Sequence, residues 1–240
     1  EASGHIPLSF AQQRLWLLDQ FEPGSVVYNM PAAFHLEGAL DVMALERSLN
    51  EIVQRHEGLR TTFSSADGEP MQIIAQKLFL KLQITDLQEL PETEREKVRR
   101  NLAELEARRP FDIAKGPLFR AGLLRLDQDY HILLITMHHI ISDGWSRGVL
   151  YRELSNLYKS FCADEPSPLP DLPIQYGDFA VWQRQWLQGE VLEEQLSYWR
   201  EQLEGALPVL ELPADRPRPA VQAFRGARYR LQLPLSLVQA

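Results

Sequence analysis

The stretch Tyr130 to Ser146, YHILLITMHHIISDGWS, decides how the rest of the chain is read. Six of its first eight residues, Tyr130 to Met137, are apolar or aromatic, and a run of that length with β-branched content predicts a buried strand rather than a helix segment. The strand leads into polar chemistry: His138 and His139, then Asp143 and Gly144, before a segment of helical apolar periodicity. Successive side chains of a regular strand point to opposite faces, so adjacent histidines do not share one cavity. One is expected to work and the other to support; the competing reading makes both of them satisfied residues at a strand edge.

Working outward, Leu118 to Leu126 predicts a strand that pairs with the histidine strand through the LDQD turn, led in by Gly116 and Pro117. Val149, Leu150, Leu154, Leu157 and Phe161 trace an amphipathic helix expected to pack on that hairpin. Near the amino terminus, Ser9 and Gln12 have capping-box spacing for a helix to Phe21, with Ala11, Leu15 and Leu18 on its inner face and Pro23-Gly24 at its end. Ala32, Phe34 and Leu36 alternate as a half-buried strand closed by Gly38. Asp41 is a plausible N-cap for a second helix built on Val42, Leu45, Leu49 and Ile52, with Gly58 just past its end.

Arg60 to Ile74 reads as a hairpin turning at Asp67-Gly68, and Lys81 to Thr85 as a further strand. Glu92 to Arg109 is a solvated helix with a thin stripe of Val98, Leu102 and Leu105, stopped by Pro110. Four prolines between Glu165 and Pro173 resist helix and central strand alike. The expected organisation is therefore a lobe over 1–165, a proline-rich linker over 166–175, and the beginning of a second, incomplete lobe over 176–240. In that last part Tyr176 to Leu187 and Val191 to Leu203 read as helices, with Trp182, Trp186 and Trp199 as core packing. Tyr229, Leu231 and Leu233 alternate as a strand, and Pro234 to Ser236 begin a helix without a body, so a piece of a longer polypeptide is expected.

Composition narrows the function classes. The chain has 240 residues, 45% of them hydrophobic, enough for a sizeable core. A net charge of -8 argues against a nucleic-acid surface, which needs a clustered basic footprint. Cys162 is the single cysteine, so no internal disulfide forms and a zinc site would need histidines and carboxylates. With no membrane-length apolar run and no signal peptide, a cytoplasmic protein without a membrane partner is expected. Strands and helices mix without strict alternation, which favours an α+β sandwich with a mixed sheet covered by helices. No phosphate loop, CxxC pair or GxSxG elbow is present.

What remains is a His/Asp constellation without a nucleophile. It suits a transfer in which the substrate brings its own amine or hydroxyl and a neutral imidazole takes the proton or steadies the developing charge. Asp143 would orient the site through an arginine, and backbone N–H groups near Gly144 would face an oxyanion.

MHHIISDGWS is similar to the HHxxxDG motif of the condensation domains of nonribosomal peptide synthetases, members of the chloramphenicol acetyltransferase superfamily. LSFAQQRLWLL (Leu8 to Leu18), RHEGLRTTF (Arg55 to Phe63) and YGDFAVW (Tyr176 to Trp182) resemble that family's first, second and fourth motifs, in order and spacing. The resemblance implies a chloramphenicol acetyltransferase-like fold of two lobes, truncated here, since a whole domain is about twice this length and exceeds a single core. It makes His139 the catalytic histidine and His138 its structural neighbour. Asp143 would be structural and ion-paired with Arg60, Arg55 a scaffold residue, and Gly144 the point where a thioester approaches the backbone.

The implied reaction is amide formation between a donor aminoacyl or peptidyl thioester and the amine of an acceptor aminoacyl thioester. Both ride on phosphopantetheine arms of donor and acceptor peptidyl carrier proteins, and the domain binds no cofactor of its own. A neighbouring adenylation domain and the remaining carboxy-terminal lobe are further implied partners. The wording of the first motif resembles domains joining an L-donor to an L-acceptor, and little activity is expected of this chain alone. A standalone acyltransferase using acyl-CoA and a non-catalytic recruitment domain are the alternatives.

Overall fold

The computed structural model describes residues 6–66, 68–205, 212–217, 229 and 231–238. In chain order the elements are β1 (Ile6–Pro7), α1 (Phe10–Phe21), β2 (Asn29–Glu37), α2 (Val42–Arg55), a 3-10 turn (Glu57–Arg60), β3 (Thr61–Ala66), β4 (Glu69–Ile74), β5 (Gln83–Asp86), α3 (Glu92–Ala107), β6 (Phe119–Asp127), β7 (Tyr130–His138), α4 (Gly144–Cys162), α5 (Tyr176–Trp186), α6 (Gly189–Gln202) and α7 (Leu235–Val238).

The histidine strand β7 is internal to a four-stranded sheet of order β2-β7-β6-β5, antiparallel to both neighbours, while β5 lies parallel to β6. This is the mixed sheet of an α+β fold. Every residue of β7 from His131 to His138 is buried, because both sheet faces are covered. Leu133, Ile135 and Met137 enter one cluster with Leu45, Leu49 and Ile52 of α2 and Leu150 and Leu157 of α4. Ile132 and Leu134 enter another, beneath Val98 and Leu102 of α3. The period of two in the sequence thus becomes two helical covers, each fully buried Leu or Ile contributing about 1.5–3 kcal/mol. A second, antiparallel sheet runs β1-β4-β3. Its hairpin turns at Gly68, whose φ of +85° is left-handed; Asp67 lies outside the described residues.

The Ser9 capping box is closed in both directions: Gln12 N donates to Ser9 Oγ at 3.2 Å and Ser9 N to Gln12 Oε1 at 3.0 Å. The buried face of α1 differs from the expected one. Leu15 and Gln12 are buried, whereas Ala11 and Leu18 are exposed. Gln12 tolerates burial because its Nε2 donates to Gln72 Oε1 on β4, and Gln72 Nε2 donates to the Pro7 carbonyl. Asp41 caps α2 through Ala44 N, but the helix ends at His56, and Gly58 sits inside the 3-10 turn. On α3, Val98, Leu102 and Ala103 pack inward while Leu105 faces solvent.

Residues 166–175 carry no helix or strand, as four prolines demand. The chain forms two compact units, one ending at Ser197 and one from Tyr198. Within the first, α5 is fastened to the segment around α1. Tyr176 Oη and Ser9 Oγ bond at 2.9 Å, Phe10 N donates to Gln183 Oε1 at 3.0 Å, and Arg184 Nε donates to the Leu8 carbonyl at 2.8 Å. The tryptophans are not core residues: Trp182 and Trp186 stack in parallel 5.3 Å apart with about half of each surface exposed, and Trp199 is likewise exposed. In the second unit, Tyr198 and Trp199 pack edge to face and α7 is one turn long. The described residues 229 and 231–233 form no strand, and residue 230, central to that expectation, lies outside the described residues.

Candidate active site

The ladder of backbone hydrogen bonds continues one residue past the end of β7, to His139. His138 N donates to the Leu118 carbonyl at 3.0 Å and His139 N to the Tyr28 carbonyl at 2.9 Å, so the two amides point to opposite neighbours. Opposite side-chain directions follow, and the environments diverge. His138 is 3% exposed, its ring edge-on to Phe111 at 5.9 Å and tilted against Tyr28 at 6.3 Å. Ile140 N donates to its Nδ1 at 3.1 Å, occupying the lone pair. Burial first, and the neighbouring His139 second, push its pKa down to about 4. His138 is therefore neutral near pH 7 and has no free basic nitrogen.

His139 is exposed. Its Nδ1 lies 2.7 Å from the Ser142 carbonyl, which only accepts, so Nδ1 carries the proton and Nε2 presents its lone pair. The bond closes a tight turn in which Ile141 N also donates to the His138 carbonyl, at 3.1 Å. Ser142 is buried and directs its hydroxyl at Met30 Sδ, 3.6 Å away, which anchors the carbonyl that orients the imidazole.

Asp143 N-caps α4. Its carboxylate accepts from Ser146 N at 2.8 Å and Ser146 Oγ at 2.7 Å, and Asp143 N donates to Ser146 Oγ at 3.3 Å. These bonds hold its pKa below the usual carboxylate range, with His139 a smaller contributor in the same direction. A Cβ built on Gly144 would meet nothing within 4 Å, so the backbone there faces open space, and Trp145 beside it is 84% exposed. An ionised cap, the amino end of a 19-residue helix and a basic imidazole nitrogen are thereby gathered in six residues.

The two arginines stand differently from the expectation. Arg60 bonds Glu57 at 3.4 Å and the Ala75 carbonyl, and its Nε is buried without a partner. The expected Arg60–Asp143 ion pair is not formed, because the Asp143 carboxylate is satisfied at the helix cap while the Arg60 guanidinium is drawn to Glu57 and to the chain just after β4. Arg55 Nε lies 3.4 Å from Glu153 Oε1, and the other Glu153 oxygen accepts from His56 Nε2 at 2.6 Å. Glu153 and His56 escaped the sequence reading. The signal was a carboxylate between Leu150 and Leu157 on the inner face of α4, where only a partnered charge belongs. A groove of about 470 Å³ beside Met43 and Phe79, and a smaller one beside Ala33 and Thr136, do not include His139.

A family model described as Condensation domain matches residues 2–240. The chain is 52% identical over 236 residues to one polypeptide of the linear gramicidin synthase of Brevibacillus parabrevis, covering 98% of this chain and 3% of that protein. It is 47% identical over 237 residues to phosphinothricin tripeptide synthetase PhsC of Streptomyces viridochromogenes, covering 99% of this chain and 22% of the relative. The X-domain from teicoplanin biosynthesis, solved in complex with OxyB, superposes with TM-score 0.79 and 31% identity over 92% of this chain and 48% of that one. The starter condensation domain of rhizomide synthetase RzmA shares the fold, with TM-score 0.75 and 22% identity over 84% of this chain and 48% of the other.

Proposed function

The chain belongs to the condensation domain family, and on that premise we propose that it supplies the histidine-bearing part of a domain that forms amide bonds in nonribosomal peptide synthesis. The observation that carries the reading is the His139 imidazole, with Nδ1 committed to the Ser142 carbonyl and Nε2 left as a base on an open surface. The amine of an acceptor aminoacyl thioester attacks the donor thioester carbonyl. A C–N bond forms, the C–S bond breaks, and the donor arm leaves as a thiol. His139 Nε2 accepts the proton that the amine loses, or the hydrogen bond through which that charge is steadied, and the departing sulfur takes a proton up. In this reading backbone N–H groups near Gly144, at the positive end of α4, are the donors for the tetrahedral oxyanion. His138 supports the strand end without exchanging protons.

In this proposal both thioesters are substrates carried on phosphopantetheine arms of carrier proteins, and the domain holds no cofactor of its own. Donor and acceptor are both L-configured, an adenylation domain is a neighbour, and a carboxy-terminal lobe completes the cleft. Alone, the chain forms little product. A second reading is a non-catalytic domain that recruits carrier proteins; the similar X-domain from teicoplanin biosynthesis is solved in complex with OxyB. The experiment presents the complete domain with two loaded carrier proteins, or with soluble acyl-CoA and a free amine, and reads products by intact-protein mass spectrometry. Dipeptide on the acceptor carrier from an L-donor and not from a D-donor is expected. Transfer from acyl-CoA alone would favour the standalone acyltransferase, and no transfer with carriers that a related domain accepts would favour recruitment.

A further inference from the structure

Glu153 plays no part in the chemistry above, yet it is the buried carboxylate of the helix that Asp143 caps, 7% exposed and held by His56 Nε2 and Arg55 Nε. We infer that Glu153 is a positioning residue for His139; this rests on the amide-forming reading and deepens it. Arg55 ends α2 and His56 is its C-cap, so the carboxylate ties the middle of α4 to the place where α2 hands over to the 3-10 turn. A single amide side chain clasps the same place from the other side: Gln175 Nε2 donates to the Arg55 carbonyl at 3.0 Å, and Glu57 N donates to Gln175 Oε1 at 3.1 Å.

The 3-10 turn neighbours the catalytic loop: Ile141 packs against the core cluster that contains Leu59, and a Cβ placed on Gly58 would stand 3.9 Å from the Ile141 carbonyl. Ile141 lies between His139 and the Ser142 carbonyl that sets its tautomer. That loop runs from β7 to the start of α4, and Glu153, carried on α4, bonds Arg55 and His56 just before the 3-10 turn. Apolar packing alone would hold α4 to α2, through Leu150 and Leu157 against Leu45, Leu49 and Ile52. Removing the carboxylate alone leaves the buried Arg55 guanidinium without its counter-charge, so Glu153 adds stability as well as one defined register between α2 and α4.

The test compares the complete domain with its Glu153→Leu and Glu153→Gln variants in dipeptide formation. The Leu variant, which leaves Arg55 and His56 without their carboxylate, is expected to melt lower, to lose about tenfold in kcat where it is folded, and to keep KM for both loaded carriers within about twofold, as a misplaced base does. The Gln variant still accepts from His56 and is expected within about threefold of the parent. In parallel, ¹⁵N spectra of the His139 ring in the 240-residue chain should show the proton on Nδ1 in the parent and a tautomer mixture in Glu153→Leu. A folded Glu153→Leu variant with parental kcat and a single tautomer overturns the inference. Should that variant not fold, Gln175→Ala decides: a fall in kcat of about threefold with KM unchanged is expected, and parental kcat overturns it. A parent domain that forms no dipeptide would sink the amide-forming reading while leaving the tautomer comparison to judge Glu153.

Discussion

Acidification should destabilise the fold through His138 in a window that its burial sets. Unfolded, the imidazole titrates near 6.5; folded, burial and the adjacent His139 lower that to about 4. Below pH 6.5 the unfolded chain takes up a proton that the folded chain refuses until about pH 4, so stability is fully present above 6.5 and is lost as pH falls through the window. Each pH unit of separation is worth ~1.4 kcal/mol, which makes the loss attributable to His138 about 3 kcal/mol by pH 4. His131, also lowered chiefly by burial, and Asp143 add further acid sensitivity, so the total slope is not diagnostic. The difference from His138→Asn is, because that side chain keeps an acceptor for Ile140 N and cannot titrate. Urea unfolding followed by circular dichroism at intervals from pH 7.5 to 4.5 should give a parental curve steeper than the variant by about 1.4 kcal/mol per pH unit near pH 5. Parallel curves would refute the argument that His138 is held neutral by its surroundings.

The capping role of Asp143 predicts that Asp143→Ala lowers the unfolding free energy by about 1 kcal/mol, with Asp143→Asn restoring most of it, both read by urea titration at pH 7. Gln72→Met should cost about 1–3 kcal/mol, because it strips Gln12 Nε2 of its acceptor inside the protein while changing little volume; thermal melts of the two chains measure this.

Much of this was legible in the sequence, and for identifiable reasons. β7 was readable because its neighbours and both covers demand a mostly apolar run, and the α1 and α2 caps because a cap is decided within four residues. The opposite fates of His138 and His139 followed from strand geometry alone. The inner face of α1 was not readable, since Gln12 is buried only by virtue of Gln72, 60 residues away. The same holds for Glu153, whose partner His56 is 97 residues distant, and for α5, whose Arg184 is moored to the Leu8 carbonyl. The partner of Arg60 was misassigned because an aspartate before a helix has a local use, the cap, that competes with any distant ion pair.

The central claim is that the His139 imidazole performs the proton chemistry of amide formation. The most direct measurement is single-turnover dipeptide formation by the complete domain and its His139→Ala variant on two loaded carrier proteins, quantified by intact-protein mass spectrometry. Dipeptide on the acceptor carrier is expected in the parent and a rate at least about a hundredfold lower in the variant, the usual scale of a lost general base. Equal rates in the two would contradict it.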